Sequence, residues 1–200
     1  MTNRTVIISV AAGVLVVGGA LTAVALMNPP ASTPVESLPS ASAPVAEPST
    51  PTAPSTPTAE PYDTAASLLF IIEEEKLAHD VYVTLESTWG ANIFANISDS
   101  ETTHQGLLVP LLDAHGIADP RSSEVGVFVD PDLQSLYNDL IARGTTSLAE
   151  AIQVGILIEE KDIADLTVAM AAEDEADVIS VYDRLLSGSE NHLASFQRQA

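Results

Sequence analysis

EEEKLAHDVY (73–82), SETTH (100–104), IEEKDI (158–163) and SENHL (189–193) place carboxylate and imidazole groups inside stretches that otherwise read as apolar helix faces. Glu75, Glu101 with His104, Glu159 with Asp162, and His192 all point inward if these helices form an antiparallel bundle. Buried charge is expensive unless it is paired or bound to metal. Acids and histidines gathered on inward faces therefore point to a carboxylate-bridged two-metal site inside a bundle.

The surrounding periodicity sets the helices. Leu68, Leu69, Ile72, Glu75, Ala78, Val81, Tyr82 and Leu85 recur at steps of three and four, predicting a first helix from about Asp63 to Ser87. A second runs from about Asn92 to Ala114, with Phe94, Ile97, Glu101, His104, Leu108 and Leu111 on one face. Pro110 is expected to kink it or loosen its last turn. Residues 117–131 read as a loop, and Asp130-Pro131 then starts a short helix that stops at Gly144. Ser147 and Glu150 form a capping-box pair ahead of a third long helix. Its inner face reads Leu148, Ile152, Gly155, Ile156, Glu159, Ile163, Leu166 and Met170. A fourth spans about Glu175 to Arg198, with Val178, Val181, Tyr182, Leu185, Ser189, His192 and Phe196 inward. Two helix hairpins joined by a long crossover containing a short helix make an all-α antiparallel four-helix bundle.

Working outward, residues 62–200 form this helical domain, long enough for a core. They carry 25 acidic and 6 basic side chains, a net charge of −19. Such a surface excludes nucleic acid, which needs a basic footprint, and gathers cations. With no cysteine in the chain, disulfides, iron–sulfur centres and thiol catalysis are excluded. Residues 28–61 are a Pro-, Ala-, Ser- and Thr-rich linker that holds ten of the thirteen prolines and cannot build a core. Residues 1–27 contain an uncharged run from Val6 to Met27 behind Arg4. As a helix it would span roughly 33 Å, enough for a bilayer core of about 30 Å. Ala23-Val24-Ala25 also has the form of a signal cleavage site. The expectation is an N-terminal transmembrane anchor with the domain outside the membrane, or a secreted protein if the segment is cleaved.

Glu101 and His104, at i and i+3, share a helix face and can reach one ion. Glu75 and Glu159 come from other helices and can bridge two. Oxygen and imidazole donors without thiolate suit iron first, with manganese or zinc as alternatives. Each residue also has a plainer reading. Ser98-x-x-Glu101 fits a capping box, Glu74 and Glu160 rival their neighbours, and Asp162 can pair with Lys161. Tyr82 and Tyr182 are expected in the core, hydrogen-bonding a ligand, whereas His79 and His115 are expected at the surface.

These motifs resemble the ferritin-like superfamily, rubrerythrins within it, and more closely a bacterial family of ferritin-like domains of unassigned function. The resemblance covers roughly residues 64–198. Glu75, followed by Ala78 and Tyr82, matches its first metal-binding Glu. Glu101-Thr-Thr-His104 matches its Glu-x-x-His, preceded by a similar Ile97-Ser98-Asp99-Ser100. Glu159-Glu-Lys-Asp162 resembles the Glu-x-x-Glu of rubrerythrins with Asp in second place, and Val181-Tyr182 and His192 align in the last helix. Ser189 stands where a Glu is expected, and Glu190 lies about 200° around the helix from His192.

The resemblance implies two iron ions bridged by Glu75 and Glu159, one held by Glu101 and His104, the other by His192 with Asp162. It implies ferroxidase or oxygen- or peroxide-reducing activity. The missing carboxylate at Ser189 argues instead for a non-enzymatic metal-binding or interaction module at the cell envelope. A homodimer is compatible with either.

Overall fold

The computed structural model describes residues 62–200. The expected membrane segment (1–27) and linker (28–61) lie outside the described residues. The described part is all helical, with no strand: α1 (Thr64–Trp89), α2 (Asn92–His115), α3 (Pro131–Gly144), α4 (Leu148–Ala172) and α5 (Ala176–Gln197). None of these helices is long and apolar enough to cross a membrane.

Local chemistry sets the boundaries. Asp63 caps α1 by accepting the Ala66 N–H at 3.0 Å. Gly90 ends α1 in the left-handed region at φ 63°, which a side chain disfavours. Asp130 caps α3 through the Asp132 and Leu133 N–H groups, with Pro131 at the first helical position. Ser147 accepts the Glu150 N–H at 3.1 Å, but only half of the expected capping box forms. The Glu150 carboxylate turns to Arg143 at 2.6 Å instead. Pro110 sits inside α2, which continues past it to His115.

The long helices pack in a ring, α1 on α2, α2 on α5, α5 on α4 and α4 on α1, while α3 lies against α1 and α4. Two apolar clusters fill the ring. One holds Leu77, Val81, Tyr82, Leu85, Phe94, Val154, Ile158 and Phe196. The other holds Leu68, Ile72, Leu108, Leu112, Leu166, Val178, Tyr182 and Leu185. Glu75, Glu101, His104, Glu159, Asp162 and His192 fall between these two sets along the four long helices, so a polar layer separates two apolar ones. The order of the clusters along each chain segment also gives direction: α1 and α5 run one way, α2 and α4 the other. Ring neighbours are thus antiparallel. Because α2 ends at the cluster opposite to the one where α4 begins, the connection must travel the length of the bundle.

That crossover is gripped by one face of α1. Glu73 accepts the Val129 and Asp130 N–H groups, both at 2.8 Å. Asp80 accepts the Gly126 N–H at 2.8 Å, bonds His79 Nδ1 at 2.8 Å and pairs with Lys76. Lys76 donates to the Glu124 carbonyl at 3.0 Å and lies over the Phe128 ring.

Three sequence expectations need correction. Leu148 is 43% exposed, at the bundle end beside Ala91 and Ile93. His79 is half-buried because it serves Asp80, and His115 is half-buried 3.6 Å from Glu175. Ile156, Ile163 and Met170 are only partly buried; the inward stripe of α4 centres on Val154, Ile158, Glu159, Asp162 and Leu166.

Burial opposes the charge of Asp80, but His79, Lys76 and the Gly126 N–H outweigh it and hold its pKa below the usual range. A depressed carboxyl contributes stability above its unfolded pKa, and loses it as pH falls through the folded value. Asp80→Asn is expected to cost about 1–3 kcal/mol in urea unfolding at neutral pH. Limited proteolysis should then cut within residues 117–130 faster than in the parent. The difference in stability should close below about pH 4.

Candidate metal centre

Helix geometry puts Glu101 and His104 on the inward face of α2, three residues apart, facing α5 and α1. Glu101, His104 and His192 each offer a donor atom within 4.8 Å of the others, and all three are buried. Glu101 sits at their centre. Its Oε2 lies 2.9 Å from His104 Nδ1, and its Oε1 lies 2.9 Å from His192 Nδ1. The two imidazoles stack with centroids 5.3 Å apart. Glu75 Oε2 approaches His104 Nδ1 at 3.0 Å, and Glu159 Oε2 approaches His192 Nδ1 at 3.5 Å.

The outer contacts orient these groups. Tyr82 donates to Glu159 Oε1 at 2.6 Å. Ser100 Oγ meets His192 Nε2 at 2.9 Å. His192 Nδ1 and Glu101 Oε1 lie close together, yet both are buried without a hydrogen-bond partner. A cation ligated by both would satisfy them. Glu75 Oε1 and Asp162 Oδ1 are also buried without a partner.

Charge makes the same point. Four carboxylates (Glu75, Glu101, Glu159, Asp162) face two imidazoles, with relative exposures of 8% or less throughout. Burial opposes the imidazolium form, but Glu101 and Glu75 raise His104 to about 11. Against the same burial, Glu101 and Glu159 raise His192 to about 9. Burial, reinforced by the neighbouring carboxylates, pushes Glu75 and Asp162 well above the carboxylate range, and Glu159 to about 7. Glu101 moves down to about 2, because the two histidines outweigh its burial. Four buried carboxylates thus outnumber the two imidazoles available to balance them. Two divalent cations with neutral imidazoles would balance four carboxylates, and the all-nitrogen-and-oxygen donor set fits iron, manganese or zinc.

All six residues singled out in the sequence are buried at one level of the bundle. Their grouping differs from the sequence expectation, which divided the histidines between Glu101 and Asp162. Both rings lie on Glu101, and Asp162 instead accepts the Ser189 hydroxyl. Ser189 thus holds an α4 acid in place of the carboxylate that α5 lacks, while Glu190 is exposed. The capping role for Glu101 is overturned: α2 begins at Asn92, and Ser98 bonds back to the Ala95 carbonyl inside the helix. Glu74 and Asp165, not Asp162, take Lys161. Tyr182 bonds Ser67 at 2.9 Å rather than any member of the cluster. Sequence reading missed Ser100 as a partner and Gly188 as a spacer. A Cβ on Gly188 would stand 2.2 Å from His104 Nε2. The available signal was a glycine inside a strong helical pattern, which costs stability and so asks for a packing reason.

Comparison with known proteins adds relatives without an assigned role. Residues 64–200 match the family described as an uncharacterized protein domain, DUF2202. The chain is similar to the uncharacterized protein MJ0754 of Methanocaldococcus jannaschii, 42% identical over 132 residues, covering 66% of this chain and 71% of that protein. The crystal structure of hypothetical protein MJ0754 from Methanococcus jannaschii is similar with a TM-score of 0.68 and 39% identity. It covers 74% of this chain and 85% of the other.

Alanine in place of an interior helical glycine ordinarily stabilises by about 1 kcal/mol. Gly188→Ala is expected to do the reverse in denaturant unfolding, because the new methyl displaces His104. In a His104→Ala background the same substitution should recover its ordinary stabilising sign.

Proposed function

We propose, for a chain that belongs to the uncharacterized DUF2202 domain family, a dinuclear metal centre of ferritin-like type. The single observation that carries this reading is the Glu101 carboxylate with one oxygen on each imidazole. Glu101 would be shared between the two ions, Glu75 and His104 would help hold one, and Glu159 and His192 the other. This moves the bridging role from Glu75 and Glu159, where the sequence resemblance puts it, to the acid at the centre. Asp162 stands by, held on Ser189. Iron at this position would supply redox chemistry toward dioxygen or peroxide.

The chain's own residues do the rest. The apolar clusters on either side exclude water. Ser100 holds the His192 ring through Nε2, and Tyr82 orients Glu159. All ligands ride on helices, which hold geometry better than loops. The binding-module reading keeps one specific support, Ser189 in place of a carboxylate, which leaves one side of the centre with fewer anionic ligands. The sequence before residue 62 supports a place outside the membrane on a Pro-rich tether.

Metal-free protein titrated anaerobically with Fe(II) is expected to bind two ions per chain. Glu101→Gln should abolish binding of the pair. Affinity should rise with pH, because ligation displaces protons from His104 and His192, whose pKa values lie near 11 and 9. Loss of affinity with acid, at up to about tenfold per pH unit for each proton displaced, is the expected slope. Admitting oxygen then separates the readings: oxidation faster than that of free Fe(II) supports the redox function, and unaccelerated oxidation selects the binding module. Fewer than one ion bound overturns both.

A further inference from the structure

The cluster is sealed by apolar layers above and below, so a cation must reach it from the side. A cleft between α1, α4 and α3 reaches the cluster at Asp162. It is lined by Glu74, Ala78, Leu136, Leu140, Lys161 and Asp162, among others, and has room for about one water-sized guest. Leu136 is half-buried and the Lys161 side chain is 33% exposed, so these mark its outer end. Asp162, buried at 5% exposure, marks its inner end.

Two features of this cleft are unexplained by packing. Glu74 Oε2 and Asp162 Oδ1 are buried carboxylate oxygens with no hydrogen-bond partner, on residues 3% and 5% exposed. Between them and solvent sits one ammonium group. Lys161 Nζ is held by Glu74 and by the less buried Asp165, and lies over the Phe70 ring at 5.0 Å from its centroid. The ammonium therefore occupies the position a passing cation would take, between two carboxylates. Lysine is suited to leaving it: a compact charge on a flexible four-carbon arm with water within reach.

We infer that this cleft is the access route for divalent cations, with Asp165, Glu74 and Asp162 as successive oxygen ligands and Lys161 as a displaceable plug. The inference rests on the metal-centre reading. An incoming cation exchanges with the Lys161 ammonium on Asp165 and Glu74, passes to the free oxygens of Glu74 and Asp162, and reaches Glu75 and Glu159. Lys161 then returns to its two acids. The plug belongs to the path and not to the bound state, so it sets rates and leaves affinity alone.

The test uses Co(II), whose visible absorption reports ligation, with binding followed by stopped flow and release by a chelator chase. Lys161→Met removes the plug and bares an acid-lined cleft, so association and dissociation should both quicken by about tenfold or more. Kd should stay within about threefold, as for any change confined to a barrier. Because the substitution leaves Glu74 without its cation, a second variant keeps that ion pair. Leu136→Trp fills the outer end and should slow both rates together, again at constant Kd. Unchanged rates in both variants, or a changed Kd with unchanged association, would overturn the route while leaving the metal centre standing. Failure of the parent protein to take up Co(II) would bring down the centre and the route with it.

Discussion

One carboxylate holds the middle of this protein. Glu101 lies 1% exposed between two histidines from different helices, with an oxygen 2.9 Å from each. In so dry a setting an electrostatic contact is strong, and an unmade one is correspondingly costly. The neighbouring groups follow from that. Glu75 and Glu159 flank the two rings, Tyr82 and Ser100 fix the outer atoms, and Gly188 clears space for the His104 imidazole. An apolar cluster closes each side, leaving the layer to cations or protons for its charge balance.

A layer of this kind is not what stability alone selects. Replacing buried ion pairs with well-packed apolar residues is often neutral or stabilising, whereas removing one partner is costly. The chain nevertheless commits Glu75, Glu101, His104, Glu159, Asp162, Ser189 and His192 to its centre. The remaining core is arranged to tolerate them. Aromatic packing of Tyr82, Phe94 and Phe196 supports one side, and the aliphatic cluster around Leu108, Leu166 and Leu185 supports the other. The α1 acids divide into two tasks by helical phase: Glu73 and Asp80 bind the crossover, while Glu74 and Glu75 face α4 and α2.

Helices and inward residues were legible because a 3.6-residue period maps sequence spacing directly onto one face. Leu68, Ile72, Glu75 and Tyr82 in α1, and Tyr182, Leu185, Ser189 and His192 in α5, all lie where that period puts them. The period says less about partners across the bundle. Tyr82 and Tyr182 occupy similar inward positions, yet only Tyr82 reaches an acid of the cluster, because Tyr182 lies in the aliphatic layer beside Ser67. The roles of Glu73 and Asp80 were hidden for a related reason: they answer to backbone N–H groups about fifty residues away, and no local pattern encodes such a contact. Leu148 satisfied the α4 period and still lies exposed, since position along the axis decides burial as much as angle around it.

By itself the sequence determined that residues 62–200 are helical, about where the helices begin and end, and that six acids and histidines share the inward faces. Those properties depend on local capping chemistry and on the apolar period. The tertiary structure alone decided that both histidines meet on Glu101, that Asp162 turns to Ser189, and that Lys161 stands over Glu74. These are distances between side chains on different helices, set by the rotation and axial register with which the apolar layers lock together.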